Sequence, residues 1–246
     1  MRKKVAVVVL NWNGSTLIPH YLPTLLEHTD PELADVIEAD NGSTDDSLEI
    51  LARDYPRAMA LPLGSNLGFA AGYNRAIAEL EGYDYICLLN DDVLVTKGWL
   101  EPLVALLDSH PEVVSVQPTI RWEREPERLE YAGALGGYMD RLGYPFCRGR
   151  LFSTLEEDRG QYGREPMPSS GPAVPVCSAD GRPTSLPEVW MRPLSPTRRR
   201  STSAGGGRLR GTTSTSSPRA LSTTGAESRS AQTTHGRPSS TSETTS

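Results

Sequence analysis

A chain of 246 residues can bury a full core, either as one large α/β domain or as two smaller ones. Its formal net charge of -6 argues against nucleic acid as a partner, which would favour a basic face. Cys87, Cys147 and Cys177 are widely spaced and form no C-x-x-C pair, so neither a disulfide framework nor a zinc site is indicated and a reducing compartment fits.

In chain order, Val5 to Leu10, Asp35 to Asp40, Ala58 to Leu63, Tyr85 to Leu89 and Val113 to Gln117 read as short apolar strands. Between them, Ser15 to His28, Ser43 to Asp54, Phe69 to Leu80 and Gly98 to Leu107 carry apolar residues three and four apart, the spacing of helices. Such alternation predicts a mostly parallel sheet flanked by helices. Ser43 with Asp46 resembles a capping box, and Thr96 is placed to cap the helix that follows it. From Thr119 to Arg150 the pattern breaks into Gly-punctuated aromatic segments that suggest hairpins at a pocket edge. No apolar stretch approaches the roughly 20 residues that span a bilayer. Met1 to Lys4 lead into a strand rather than a signal-peptide core, so the chain reads as cytoplasmic.

Beyond about Ser169 apolar periodicity vanishes and Ser, Thr and Arg dominate. Such composition cannot bury enough surface to offset chain entropy, so as written this segment reads as a disordered tail. The charge also reverses. Residues 169–246 hold about 4 acids against 10 bases, whereas residues 1–168 hold about 27 acids against 15 bases.

In an open parallel sheet, ligands bind at the carboxyl ends of the strands. Four polar clusters stand at successive strand ends: Asn11-Trp12-Asn13-Gly14, Asp40-Asn41-Gly42-Ser43, Asn66-Leu67-Gly68 and Asn90-Asp91-Asp92. Each alone fits a turn or a helix cap. Together they point to a ligand. In the fourth, an apolar strand delivers two carboxylates into a loop, hard oxygen donors that suit Mg2+ or Mn2+ beside a substrate phosphate. The third opens a helix with small residues that let backbone N–H groups approach a phosphate or ribose; Gly68 and Gly72 equally suit tight packing. It is neither a P-loop nor a dinucleotide fingerprint.

The segments VVVLNWNG, ADNGSTDDS, NLGFAAGYNRAI and YICLLNDDV, in this order, resemble the successive signatures of family-2 glycosyltransferases with the GT-A fold, over residues 4 to about 160. The resemblance implies a Rossmann-like α/β domain over residues 1–160 that binds a nucleoside diphosphate sugar and transfers the sugar to a hydroxyl acceptor, a glycan or a lipid-linked sugar. It implies that Asn11, Trp12, Asn13 and Asp40 hold the nucleoside, with Trp12 near the base and Asp40 hydrogen-bonding it. Asn66, Gly68 and Asn74 match positions lining the nucleotide-sugar pocket. Asn90-Asp91-Asp92 occupies the place of the family's D-x-D motif, which makes Asp92 the metal ligand for Mg2+ or Mn2+ and leaves Asn90 to bond the ribose, with Asp91 in the same pocket. Tyr73 departs from the pattern, standing where many relatives carry Arg. A nucleotidyltransferase shares such a sheet and metal use, but its Gly-rich basic loop after the first strand is replaced here by Asn11-Trp12-Asn13-Gly14. A non-catalytic nucleotide-sugar-binding protein is the other alternative.

The resemblance also implies an acceptor half with an acidic catalytic base in a segment like E-[ED]-x-D-x-x-x-R, and residues 169–246 hold none. Glu156, Glu157 and Asp158 are the nearest fallback, read more simply as a solvated loop. A shifted reading frame accounts for both the missing base and the change of composition. Joining the third base of each codon to the first two of the next, Gly171 to Val176 can encode W-A-S-G-A-C and Arg199 to Gly206 can encode E-E-I-D-L-C-W-R. Pro218 to Thr224 can give P-E-S-T-V-Y-H, and Pro238 to Thr245 can give A-F-L-N-F-R-N-N. All four lie in one frame and resemble the absent half, so the expected slip falls between about Gly160 and Ser170. The rival reading is a genuine Ser/Thr/Arg-rich tail, phosphorylatable or in peripheral contact with anionic lipid at the inner face of the membrane.

Overall fold

The computed structural model describes residues 4–129, 137–139, 141–142, 144–151, 154–162, 166–169, 176–179 and 219–230. The expected alternation is present: β1 (Val5–Asn11), α1 (Ile18–His28), β2 (Ala34–Asp40), α2 (Ser47–Asp54), β3 (Met59–Pro62), α3 (Phe69–Ala78) and β4 (Tyr85–Leu89). Then come β5 (Val93–Val95), α4 (Glu101–Ser109) and β6 (Val113–Trp122). Strands β1 to β4 run parallel in the order β4-β1-β2-β3. Their polar ends therefore share one edge.

The pleat sorts the apolar residues of these strands into two layers. Val5, Val7, Val9, Cys87 and Leu89 face Leu22 and Leu25 of α1, Leu103 of α4 and the fully buried Trp99. Ala6, Val8, Ile37, Ile86 and Leu88 turn the other way, beneath Tyr73, Ala76 and Ile77 of α3. Burying each large side chain contributes about 1.5–3 kcal/mol, so this two-sided packing fixes the sheet that carries the site. The Trp99 indole N–H donates to Thr29 Oγ1 at 3.3 Å, which satisfies its one polar atom.

Several local expectations differ from the structure. Helix α1 begins at Ile18 rather than Ser15, because Leu17 N and Ile18 N both donate to Gly14 O in a preceding turn. The capping box at Ser43 and Asp46 does not form. Asp46 takes the cap position of α2 without a side-chain bond, and Asp45 instead accepts from Ser47 and from Ser15 N. Thr96 does not cap α4, whose cap position is Leu100. Strand β6 continues past Gln117 through Pro118, where the pairing with its neighbour shifts register, a bulge that tolerates the missing N–H.

The region after β6 holds a small hairpin, β7 (Gly137–Met139) with β8 (Pro145–Cys147), and a second pair, β9 (Arg150–Leu151) with β10 (Thr154–Leu155). Three further strands join the main sheet: β11 (Met167–Ser169), β12 (Val176–Ala179) and β13 (Arg219–Ser230). β12 lies antiparallel between β4 and β6, while β13 runs parallel to β6. The loss of apolar periodicity beyond Ser169 gave no sign of β12 or β13. The rest of the expected tail, including Asp180, Glu188, Glu243 and the Arg199 to Gly206 segment, lies outside the described residues.

Candidate functional site

The ends of β1 and β2 are tied together by their own polar side chains. Asn11 and Asp40 are register partners, both buried, and Asn11 Nδ2 donates to Asp40 Oδ1 at 3.1 Å and to Ser43 Oγ at 3.2 Å. Ser43 N donates to Asp40 Oδ2 at 3.1 Å, so each oxygen of this buried carboxylate accepts a bond. Asn13 takes the left-handed conformation with φ 54°, its N–H donating to Ser43 Oγ and its Oδ1 accepting from Thr44 N. Asn tolerates that conformation better than most residues. Trp12, just before this turn, stands 54% exposed.

Asn41 links the second loop to the third. Its Oδ1 accepts from Leu67 N at 3.0 Å, and its Nδ2 donates to Asn66 Oδ1 and Gly68 O, each at 3.3 Å. The loops approach so closely that a Cβ on Gly42, at φ 75°, would lie 2.6 Å from the Ser65 backbone. Only glycine fits there. Gly72 resolves toward packing, since a Cβ on it would meet Leu10 at 3.0 Å and Asn41 Nδ2 at 3.2 Å. Asn74 is half-buried on α3, and the Tyr73 hydroxyl donates to Leu89 O at 2.7 Å. Tyr73 thus braces the end of β4, and burial holds its hydroxyl well above the ordinary range.

Asn90, Asp91 and Asp92 follow β4 as a half-buried turn. Asn90 and Asp91 line a cleft with Tyr21 of α1 and Glu38 of β2. Burial raises the Asp91 carboxyl. Glu38 is 3% exposed and is pushed up to about 8, first by burial and then by Asp91 and Asp40. The Tyr21 hydroxyl, which donates to Glu123 Oε2 at 3.3 Å, is pushed up to about 12 by burial, Glu123, Asp92 and Asp91. Asn11 Oδ1, Glu38 Oε2 and Asn90 Oδ1 are buried without a hydrogen-bond partner. A buried acceptor left without a donor costs about 1–3 kcal/mol. These three oxygens lack donors, and the cleft that Glu38, Asn90 and Asp91 line is otherwise walled by apolar Val9, Ile18, Leu22, Leu25, Leu89 and Val93.

Its composition fits a hard divalent ion. Such ions bind through one or two carboxylates plus substrate phosphates; among the described residues no group of three His, Cys, Asp or Glu comes together that could hold a metal.

The fallback acids are engaged elsewhere. Glu156 Oε2 accepts from Tyr162 Oη at 2.8 Å, Glu157 pairs with Arg159 at 2.6 Å, and Asp158 pairs with Arg121 at 2.6 Å. The Arg159 guanidinium holds Glu157 below the usual carboxylate range. Glu38 was not singled out from the sequence, although a charge between Ile37 and Ala39 within an expected strand was a visible signal. Asn41, Ser43 and Asp45 were quoted without their cross-loop roles, which depend on partners about 25 to 31 residues away.

The family described as Glycosyl transferase family 2 matches residues 6–163. The chain belongs to that family. It is 28% identical over 144 residues to N-acetylglucosaminyl-diphospho-decaprenol L-rhamnosyltransferase of two Mycobacterium tuberculosis strains, CDC 1551 / Oshkosh and ATCC 25618 / H37Rv. That match covers 54% of this chain and 46% of each relative, so the chain spans about half the length of the curated relatives it matches. The crystal structure of GalNAc-T7 with UDP, GalNAc and Mn2+ superposes with a TM-score of 0.63 at 12% identity, over 94% of this chain and 44% of that one, a likeness of fold. S. aureus TarS 1-349 in complex with UDP-GlcNAc is 23% identical over 49% of this chain and 34% of that one, with a TM-score of 0.42.

Proposed function

We propose that residues 1–160 form the donor half of a glycosyltransferase that takes a nucleoside diphosphate sugar at the carboxyl ends of β1 to β4 and transfers the sugar to a hydroxyl acceptor. The observation that carries this reading is the cleft that Glu38, Asn90 and Asp91 line at the strand ends, in which Glu38 Oε2 and Asn90 Oδ1 are buried without a hydrogen-bond partner, as is Asn11 Oδ1 at the end of β1. Asp40, 2% exposed with one bond accepted on each oxygen, would hydrogen-bond the base through a second acceptor direction. Asn13 sets the turn from which the exposed Trp12 ring can lie against that base. Asn66, Gly68 and Asn74 border the ribose and sugar. Asp92, beside the Asn90 carbonyl, would hold Mg2+ or Mn2+. When bound, that ion supplies positive charge for the diphosphate as it leaves.

The reaction is a single inverting displacement that needs an acidic base to accept the acceptor's hydroxyl proton. Glu156, Glu157 and Asp158 are bonded to other side chains and do not meet that need. In this reading residues 161–246 are an out-of-frame tail, and the chain binds donor but transfers sugar weakly. The name of the mycobacterial relatives specifies a lipid-diphosphate-linked sugar and L-rhamnose. A lipid-linked sugar is accordingly the acceptor class we assign, with the chain at the cytoplasmic face of a membrane and the product a glycan. The engaged acids also favour a second reading, a nucleotide-sugar-binding protein without catalysis.

The test is transfer from UDP- and dTDP-sugars by this chain and by one whose frame is restored between codons 160 and 170. The account expects turnover only from the restored chain. Robust turnover by the 246-residue chain would contradict the impairment, and none from either would favour the non-catalytic reading.

A further inference from the structure

Glu38 stands in a layer made otherwise of hydrocarbon. Its register partner across the sheet is Val9, whose own partner on the other side is Leu89, so the three residues form one row. Val9 and Leu89 pack in the layer that α1 covers, and Ile18, Leu22 and Leu25 of α1 wall the cleft that Glu38 lines. Burial, then the charges of Asp91 and Asp40, push this carboxyl up to about 8. A carboxyl so placed keeps its proton near neutral pH, and a protonated carboxyl has one O–H to donate.

The same cleft holds an acceptor in need of that proton. Asn90 Oδ1 is buried without a partner, as is Glu38 Oε2. The other side chains of the cleft do not supply it. Tyr21 spends its one hydroxyl proton on Glu123 Oε2, Asp91 is an acid partly open to solvent, and the rest are apolar. One proton on Glu38, donated to Asn90 Oδ1, satisfies both orphaned oxygens at once. It also turns the amide. With Oδ1 held inward, the half-buried Asn90 offers a ligand its N–H groups rather than its oxygen.

We propose that Glu38 is a positioning residue whose carboxyl O–H donates to Asn90 Oδ1 and so sets the Asn90 amide with its N–H groups toward the nucleotide. This rests on the donor-site reading and adds to it a buried side chain that determines which polar group the site presents.

The experiment compares the full-length wild type with Glu38→Gln and Glu38→Met, by calorimetric titration with UDP and dTDP in Mn2+ and by thermal unfolding. Gln keeps a donor in the same place, so its affinity should stay within about twofold of the wild type. Met suits the apolar walls but donates nothing. It should melt no lower than the wild type while binding at least about fivefold more weakly. Near neutral pH, the infrared carbonyl band of a protonated carboxyl should be present in the wild type and lost in Glu38→Gln. Four results would each overturn the proposal: no such band in the wild type, Glu38→Met binding like the wild type, Glu38→Met losing stability and affinity together, or Glu38→Gln as weak as Glu38→Met. A wild type that binds neither nucleotide with Mn2+ would overturn the donor-site reading and with it the role given to Asn90, whereas any of the four results beside a wild type that binds would overturn the proposal alone.

Discussion

At the scale of single residues, Glu38 is the least conventional feature of the core. A carboxyl on a buried strand, with one oxygen lacking a partner and Asp91 nearby, is held toward its protonated form. Its pKa rises from an ordinary 4.5 to about 8 on folding, so between these values the folded state holds a proton that the unfolded state releases. Stability from this group is complete below pH 4.5 and declines as pH rises toward 8. Glu38→Gln should flatten that decline in urea unfolding midpoints measured across this range, and a profile parallel to the wild type would exclude Glu38 as its source. Gly42 makes a separate prediction. Ala there meets both a left-handed φ and the Ser65 backbone, and should cost at least about 1–3 kcal/mol in urea denaturation. A neutral substitution would mean that the second and third loops can separate.

At the scale of elements, β1 and β4 were legible as short apolar runs that end at Asn, and β4 matches its expected bounds, Tyr85 to Leu89. The polar strand ends were legible for the same reason. The caps were not, because Ser43 and Asp45 bond to Asn13 and Ser15 across the β1–β2 edge, and local sequence carries no trace of such partners. Strand β5, three residues long, was too short to show alternation. Asn41 illustrates how a loop gains definition from a distant side chain. Asn41→Ala strips bonds from Leu67 N, Asn66 Oδ1 and Gly68 O, and should cost about 1–3 kcal/mol while weakening nucleotide binding. Unfolding and calorimetric titration of the same sample check both effects; full nucleotide affinity would separate the third loop from the site. Tyr73→Phe, which removes one buried bond to Leu89 O, should cost about 0.5–1.5 kcal/mol by thermal unfolding and leave the fold intact.

At the scale of the whole molecule, two signals meet. The charge and composition change near Ser169, while the family match ends at residue 163. The structure adds that β12 fills the space between β4 and β6. Removing everything after residue 163 would open two sheet edges in the core of the fold, and open edges invite association. The truncated chain should aggregate at concentrations where the full chain stays dispersed in light scattering. A truncated monomer with the full chain's melting temperature would show that residues 164–246 contribute nothing to the sheet.

If the strand-end cluster is the proposed metal-dependent nucleoside diphosphate site built on Asp92, nucleotide binding depends on both the ion and that carboxylate. Isothermal titration of the purified chain with UDP and with dTDP, with and without Mn2+, tests it most directly when Asp92→Asn is run beside the wild type. The account predicts binding by the wild type that needs Mn2+, and a loss of at least about tenfold in Asp92→Asn. Binding indifferent to Mn2+, or equal in the two proteins, would contradict it.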